Sequence, residues 1–408
     1  MVQISETGTP SKEKDMQRRY DYLIIGGGMT ADSAVGGIRE IDQSGSIGLI
    51  TMEGSAPYKR PPLSKGLWKG DPLESIWLDN ARSQAEIHSS RTAGRIDPKG
   101  KTVVDDQGDV YAYEKLLLAT GGETRRLPFA AGGIVYYRTV EDFALLKRLA
   151  GTAGRFVIIG GGFIGTEVAA ALAMNKKQVT MVFPEQGIGE RIFPKRLSSF
   201  LTDYYRSKGV VAMTGEQVAN VTRSDGTTSV TTSSGKKISA DAIIAGIGMQ
   251  PNVALAQAAG LEVNNGIVVN EYLQTTDPHV FSAGDVANFF SPVMGNRMRV
   301  EHEDNALSMG KTAGRNMAGA QEKYSHLPFF YSDLFDLGYE AVGELDSGLE
   351  MVEDWKEEFR EGVVYYLRDG VVRGVLLWNT WGQVDNARKL IAEKAPMTAN
   401  TLKGRLPA

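Results

Sequence analysis

Residues 156–172 read FVIIGGGFIGTEVAAAL, an apolar run followed by a glycine-rich turn and a second apolar stretch. Gly160, Gly162 and Gly165 give the spacing G-x-G-x-x-G directly after the first run. In a dinucleotide-binding strand–turn–helix unit, the first glycine makes a tight turn and the second lets a pyrophosphate approach the backbone. The third lets helix and strand pack closely, and the helix N-terminus offers N–H donors to phosphate. The stretch therefore predicts a dinucleotide site.

Two side chains add chemistry to this turn. Phe163 and Glu167 are four residues apart, so they share one face of the predicted helix. Glu167 precedes the run VAAAL. A carboxylate buried among apolar residues is costly unless another group satisfies it, so the sequence predicts a partner for Glu167.

The same unit occurs earlier in the chain. Residues 22–25 form an apolar run, and residues 26–31 read GGGMTA, a G-x-G-x-x-A version of the motif. Glu53 lies 22 residues after Ala31, and Glu185 lies 20 residues after Gly165. An acid at this distance can bind a ribose hydroxyl. Glu185 favours NAD because it would repel a 2′-phosphate, while the nearby Arg191 leaves NADP disfavoured rather than excluded.

Two dinucleotide sites in one chain imply electron transfer between two cofactors. We expect FAD in the first site and NAD(H) in the second. The fold class that follows is α/β, with two Rossmann-like domains and a C-terminal α+β domain. We place a flexible tail at residues 1–20, a discontinuous FAD-binding domain at 21–127 and 246–328, an NAD(H)-binding domain at 128–245, and the C-terminal domain at 329–408.

Composition sets further bounds. The chain has 408 residues, 42% hydrophobic and 23% charged, with a net charge of −4, which is typical of a globular protein of two or three domains. Without a dense basic block or a long apolar run, we expect no nucleic-acid partner and no membrane span. There is no cysteine and there are four histidines, so we expect no metal site, no thiol chemistry and a cytosolic location without a secretory signal.

The chain resembles the two-dinucleotide-binding flavoprotein reductases. It is most similar to apoptosis-inducing factor and its bacterial relatives, and next to the FAD-dependent ferredoxin reductases of oxygenase systems. The resemblance rests on residues 58–65 (YKRPPLSK), 160–167, 184–185, 300–302 (VEH), 338–340 (GYE) and 377–379 (LWN).

The motifs and the resemblance together imply a set of site residues. Lys65, paired with Glu167, would lie near the flavin N5, Phe163 would lie where nicotinamide docks, and His302 completes the predicted catalytic set. Residues predicted to bind FAD are Gly26, Gly28, Met29, Thr30, Ala31, Glu53, Arg60, Lys65, Ala93, Thr120, Gly121, Arg138, Asp285, His302, Glu303 and Tyr331. Residues predicted to bind NAD are Gly160, Gly162, Phe163, Ile164, Gly165, Glu185, Arg191, Gly248, Glu301, His302, Glu340 and Asn379.

The predicted function is that of an FAD-containing NADH oxidoreductase. Hydride would pass from NADH to the flavin N5, and electrons would go on to a quinone, oxygen or a protein. One alternative is an NADH-dependent ferredoxin reductase. Another is a redox-sensing interaction protein with slow turnover, in which a homodimer could form. A disulfide reductase is excluded because the sequence contains no cysteine.

Overall fold

The computed structural model describes residues 17–129, 133–224 and 227–406. The strands divide among three parts, which we call the first domain (residues 17–127 and 246–328), the second domain (128–245) and the C-terminal domain (329–406).

The first domain is built on a mixed sheet. Its first segment contains β1 (Gln17–Ile25), α1 (Met29–Arg39), β2 (Ile47–Ile50), α2 (Gly66–Lys69), α3 (Asn80–Gln84), β3 (Glu86–His88), β4 (Ala93–Asp97), β5 (Thr102–Asp105), β6 (Val110–Leu118) and β7 (Gly122–Thr124). The strand order is β3-β2-β1-β6-β5-β4, in which β1, β2, β3 and β6 run parallel.

The second domain is a five-stranded parallel sheet with an antiparallel three-stranded sheet attached. It contains β8 (Ile134–Tyr136), α4 (Val140–Thr152), β9 (Arg155–Ile159), α5 (Phe163–Met174), β10 (Gln178–Val182), α6 (Lys195–Ser207), β11 (Val210–Met213), β12 (Val218–Ser224), β13 (Thr227–Thr232), β14 (Lys237–Ala240) and β15 (Ala242–Ala245). The parallel order is β11-β10-β9-β15-β8. Strand β9 is the central strand, so the glycine turn that follows it lies at the middle of the carboxyl edge of the sheet.

The chain then returns to the first domain and ends in the C-terminal domain. The returning segment contains β16 (Met249–Pro251), α7 (Ala254–Ala258), β17 (Ile267–Val268), β18 (Val280–Ser282), β19 (Ala287–Ser291), β20 (Asn296–Met298) and α8 (Glu303–Met317). The C-terminal domain contains β21 (Phe329–Leu334), β22 (Leu337–Gly343), β23 (Glu350–Glu357), β24 (Glu361–Arg368), β25 (Val371–Trp378), α9 (Val384–Ala392) and α10 (Ala399–Leu402). Strand β18 adds to β6 in the first sheet, and the five C-terminal strands form one antiparallel sheet.

Close helix packing places the middle of α8 beside the first turns of α1. A Cβ added at Gly310 would overlap the backbone of Thr30, and one at Gly314 would overlap the backbone of Ala34. Helices α1 and α8 therefore touch backbone to backbone. The first turn of α8, with Glu303 and Asp304, precedes these contacts along the helix.

The structure changes several predicted element boundaries. Residues 17–20, assigned to a flexible tail, belong to β1 because their backbone pairs with residues 110–113 of β6; residues 1–16 lie outside the described residues. The sequence predicts a helix over residues 300–319, with acids at its start, but α8 begins at Glu303, because His302 has an extended backbone and acts as its N-cap. The sequence also predicts that a helix at residues 386–393 closes the chain; α9 instead spans Val384–Ala392, and α10 follows it.

The Asp369–Gly370 pair between two β-rich runs predicts a hairpin, and this hairpin is present between β24 and β25. Both residues have a positive φ, 52° for Asp369 and 75° for Gly370, as a tight two-residue turn requires. Within the described residues, no helix is both long and apolar enough to cross a membrane.

Candidate active site

One cleft of about 2210 Å³ joins the carboxyl ends of the two parallel sheets to the C-terminal domain. Ligands in open α/β sheets bind at this edge. The cleft brings together most of the predicted site residues, which are Gly26, Gly28, Met29, Thr30, Glu53, Arg60, Lys65, Ala93, Thr120, Gly121, Arg138, Gly162, Phe163, Ile164, Glu167, Gly248, Asp285, Glu301, His302, Glu303 and Tyr331.

The two glycine turns have the same internal geometry. Gly26 and Gly160 have φ values of 130° and 113°, and a Cβ at either would overlap a neighbouring carbonyl, that of Ala119 or Gly246. In contrast, a Cβ at Gly28 or Gly162 would meet nothing within 4 Å. The first glycine of each turn thus permits strand packing, and the second leaves an open surface at a helix N-terminus.

Three residues of the two motifs do not line the cleft, because they serve packing. Ala31 is fully buried in the core of the first domain. A Cβ at Gly165 would overlap the carbonyl oxygen of Gly160, so that contact holds α5 against its own turn. Gly160 also serves packing, because the Gly246 carbonyl occupies the space that a side chain at Gly160 would need.

Glu167 lies at the centre of a buried polar network. Its side chain is 3% exposed, and Oε2 accepts hydrogen bonds from Lys65 Nζ at 2.7 Å and from Ser64 Oγ at 2.5 Å. The other oxygen, Oε1, accepts from Ser332 Oγ at 2.6 Å. One carboxylate on α5 therefore joins the first domain, the second domain and β21.

Aromatic rings form the wall beside this network. Phe163 is 39% exposed and lies edge-on to His302 and to Phe330, with ring centroids 6.2 and 5.4 Å apart. Phe330 and His302 are stacked at 4.3 Å. Burial lowers the pKa of His302 to about 4, so the ring is neutral near pH 7.

Tyr331 completes this wall on the other side of Lys65. Lys65 Nζ lies 5.1 Å from the centroid of the Tyr331 ring, and the Tyr331 hydroxyl donates to Glu303 at 3.2 Å. Burial raises the pKa of Tyr331, so its hydroxyl stays protonated. The ammonium of Lys65 is therefore fixed between a carboxylate and a ring face.

At the far end of the cleft, the predicted FAD ligands contact one another. Glu53 accepts from the Tyr58 hydroxyl at 2.6 Å and pairs with Arg60 Nη2 at 2.5 Å. Arg138 pairs with Asp285 at 3.0 Å. The Glu53 contacts lie within the first domain, and the Arg138–Asp285 pair joins the second domain to the first.

Four predicted NAD ligands lie outside the cleft wall. Glu185 follows β10 and pairs with Arg191 at 2.5 Å. Glu340, whose pKa is raised by burial, accepts from the backbone N–H of Gly382 at 3.2 Å. Asn379 has φ of 48°; its Oδ1 accepts from Gly338 N–H at 2.7 Å. Its Nδ2 donates to the Arg360 carbonyl at 2.9 Å, so Asn379 joins strand β22 to the turn between β23 and β24.

Comparison with known proteins agrees with this architecture. A family model described as pyridine nucleotide-disulphide oxidoreductase matches residues 20–310, which is more than half of the chain. The chain belongs to the pyridine nucleotide-disulphide oxidoreductase family. A second model, described as the C-terminal region of mitochondrion-associated apoptosis-inducing factor, matches residues 313–356 and 351–393.

Individual relatives point to two branches of this oxidoreductase family. Mitochondrial apoptosis-inducing factor 1 of Dictyostelium discoideum is 36% identical over 432 residues, covering 94% of this chain and 81% of that protein. Putidaredoxin reductase of Pseudomonas putida is 31% identical over 401 residues, covering 95% of each chain. The crystal structure of the covalent putidaredoxin reductase–putidaredoxin complex matches with a TM-score of 0.87 at 31% identity, covering 94% of this chain and 95% of that one.

The chain is therefore an FAD-dependent NAD(P)H oxidoreductase, as the sequence predicted. Its residues fit both cofactors. Gly28 and Gly162 leave open surfaces at the N-termini of α1 and α5, where pyrophosphate groups bind in oxidoreductases of this kind. The cleft runs continuously from the first turn to the second, so two dinucleotides can meet along it.

Sequence reasoning missed several residues of this oxidoreductase site. Ser64 and Ser332 hydrogen bond to Glu167, Phe330 stacks on His302, and Tyr58 binds Glu53. Ser64 and Tyr58 lie inside residues 58–65, a stretch on which the family resemblance rests, so that resemblance could have identified them. Ser332 and Phe330 flank the predicted Tyr331, but alternation along β21 alone does not show which side faces α5.

Proposed function

We propose that this chain oxidises NADH in preference to NADPH and that the hydride is transferred beside the Lys65–Glu167 pair. The observation that carries this proposal is the buried network around Glu167, which lies where the open second turn meets the first domain. When bound, FAD would take up hydride from NADH and release the electrons to an acceptor.

The protein's own contribution is orientation, charge and exclusion of water. Gly162 would receive the pyrophosphate of NADH, and Phe163, partly exposed in the cleft, would provide an apolar surface for nicotinamide. The ammonium of Lys65 would stabilise negative charge on the reduced cofactor. Glu167 and Tyr331 would hold that ammonium in place.

NADH selectivity is assigned to Glu185. A carboxylate at the end of the second strand of such a unit binds ribose hydroxyls and repels a 2′-phosphate. The ion pair with Arg191 gives the Glu185 side chain, which is 21% exposed, an orienting partner.

The first test is anaerobic titration of the purified holoprotein with NADH and NADPH, followed by stopped-flow reduction of Lys65→Ala. We expect tighter binding and faster reduction with NADH, and a reduction rate about a hundredfold to a thousandfold lower in the variant. Reduction of Lys65→Ala at the wild-type rate would show that the assigned role is wrong.

The identity of the electron acceptor distinguishes two candidate functions. An acceptor such as a quinone, oxygen or a non-ferredoxin protein corresponds to the similarity to apoptosis-inducing factor. A small ferredoxin corresponds to the full-length similarity to putidaredoxin reductase. Steady-state assays with a quinone, oxygen and a [2Fe–2S] ferredoxin, compared by kcat/KM, decide between them. Slow turnover with every acceptor, together with NADH-dependent dimerisation, would favour redox sensing instead.

The cytosolic location and the homodimer remain predictions. Light scattering coupled to size-exclusion chromatography, with and without NADH, tests the second of them.

A further inference from the structure

The loop that follows β10 is fixed by two different domains. It carries Glu185 at its start and Arg191 near its end. Its first half is anchored within the second domain, because the Ile188 N–H donates to Thr202 Oγ1 at 2.9 Å and the Ile188 carbonyl accepts from Ser198 Oγ at 2.8 Å. The second half depends on other contacts.

Three consecutive residues of the second half contact the C-terminal domain. The Arg191 carbonyl accepts from the Ser347 N–H at 2.9 Å. The Ile192 carbonyl accepts from the Tyr366 hydroxyl at 2.6 Å. Phe193 is the third residue.

Phe193 is 2% exposed and packs edge-on against two stacked aromatic rings of the C-terminal sheet. Its centroid lies 5.4 Å from that of Tyr339 and 5.5 Å from that of Trp378, both edge-on. Tyr339, Tyr366 and Trp378 share one hydrophobic core with the second domain. The backbone of residues 191–193 is therefore positioned by the C-terminal domain.

Few contacts hold the Arg191 side chain in position. It is 79% exposed, and its ion pair is with Glu185, whose side chain is 21% exposed. Because one partner of this pair is a long side chain in solvent, the attraction between the two charges holds it weakly. The position of the guanidinium is therefore determined largely by where the Arg191 backbone is anchored.

We infer that the C-terminal domain sets the coenzyme selectivity of the second domain, with Tyr366 as a positioning residue for the Glu185–Arg191 pair. This inference rests on the proposed recognition of the adenosine ribose by Glu185. Tyr366 does not line the cleft; it holds the Ile192 carbonyl and, through it, the adjacent Arg191. If the loop loosens, Glu185 loses an orienting partner and Arg191 becomes free to bind a 2′-phosphate.

The test compares Tyr366→Phe with a matched control on the same strand. Tyr366→Phe removes one buried hydroxyl and keeps the ring. Tyr365→Phe removes an equally buried hydroxyl on the opposite sheet face, where it accepts from the Leu406 N–H and does not touch the loop. FAD content, measured by absorbance, shows that each variant is folded.

Three hydride donors are used with ferricyanide as acceptor: NADH, NADPH and reduced nicotinamide mononucleotide, which lacks the adenosine half. In Tyr366→Phe, we expect the KM for NADH to rise about three- to tenfold, as loss of one neutral hydrogen bond implies. We expect kcat to stay within about twofold and the preference for NADH over NADPH to fall with the rise in KM. The KM for the mononucleotide should not change, and Tyr365→Phe should leave all three donors unaffected.

Two results would overturn the inference: an unchanged KM for NADH, or parallel rises for NADH and the mononucleotide, which would indicate general distortion. Glu185→Gln separates this failure from failure of the proposed function. If Glu185→Gln shifts preference toward NADPH while Tyr366→Phe does not, only the positioning role is wrong. If Glu185→Gln has no effect on either coenzyme, the ribose recognition on which both depend is wrong.

Discussion

Replacement of Glu167 by glutamine removes a buried charge and keeps the size of the side chain. A glutamine amide can still hydrogen bond to the hydroxyls of Ser64 and Ser332, because a hydroxyl both donates and accepts. The ammonium of Lys65, whose side chain is 12% exposed, loses the carboxylate with which it is paired. The variant therefore isolates the contribution of charge to the network.

The expected magnitude follows from the geometry. For the Nζ–Oε2 distance of 2.7 Å and an effective dielectric constant of about 20, the Coulomb attraction is about 6 kcal/mol before desolvation. Desolvation offsets part of this, and removal of one partner from a buried pair costs about 3–5 kcal/mol of stability. We expect Glu167→Gln to lose about this much. We also expect flavin reduction by NADH to slow by about tenfold to a hundredfold, because Lys65 is no longer held in place.

The assays are thermal unfolding of the holoprotein, followed by flavin fluorescence, and anaerobic stopped-flow reduction. Ser332→Ala is the control that removes a hydrogen bond without removing charge, and it should lose about 1–3 kcal/mol. A double-mutant cycle with Lys65→Met measures the coupling between the two charges. Wild-type stability and rate in Glu167→Gln, or strictly additive effects in the cycle, would refute the reasoning.

Three further predictions follow from single positions. Gly162→Ala should fold with normal FAD content but bind NADH at least tenfold more weakly in titrations. Gly160→Ala should instead lower the melting temperature, because of these two positions only Gly160 has backbone atoms where the new Cβ would lie. Burial lowers the pKa of His302 to about 4, so below about pH 6.5 the unfolded chain binds more protons than the folded one. The free energy of unfolding should therefore fall, by at most a few kcal/mol, as the pH is lowered from about 6.5 to about 4. In melting curves, His302→Phe, which keeps the stacking on Phe330, should reduce this loss. Asn379→Ala should reduce stability by about 1–3 kcal/mol in melting experiments and leave the KM for NADH within about twofold, because the side chain bridges two backbone groups outside the cleft.

The glycine turns could be predicted from sequence because their requirements are local. Gly26 and Gly160 must adopt a positive φ against a neighbouring strand, and the spacing of the motif records this. The hairpin at Asp369–Gly370 could be predicted from sequence for the same reason. In each case the residues that decide the conformation are adjacent in the chain.

The surroundings of Glu167 could be predicted only in part. The sequence showed that its carboxylate needs a partner, and the family resemblance supplied Lys65. Ser332 lies 165 residues away and Ser64 lies 103 residues away, so their hydrogen bonds depend on how three domains meet. No local pattern encodes that arrangement.

The sequence by itself determined two dinucleotide-binding units, their order and the need to satisfy a buried carboxylate, because periodicity, glycine spacing and the burial of charge act over short stretches of chain. The tertiary structure decided which predicted residues face the shared cleft. It used Gly165 for packing, used the Asn379 side chain to join strand β22 to a neighbouring turn, and attached residues 191–193 to the C-terminal domain. These outcomes depend on contacts between distant segments, and such contacts form only when the domains pack against one another.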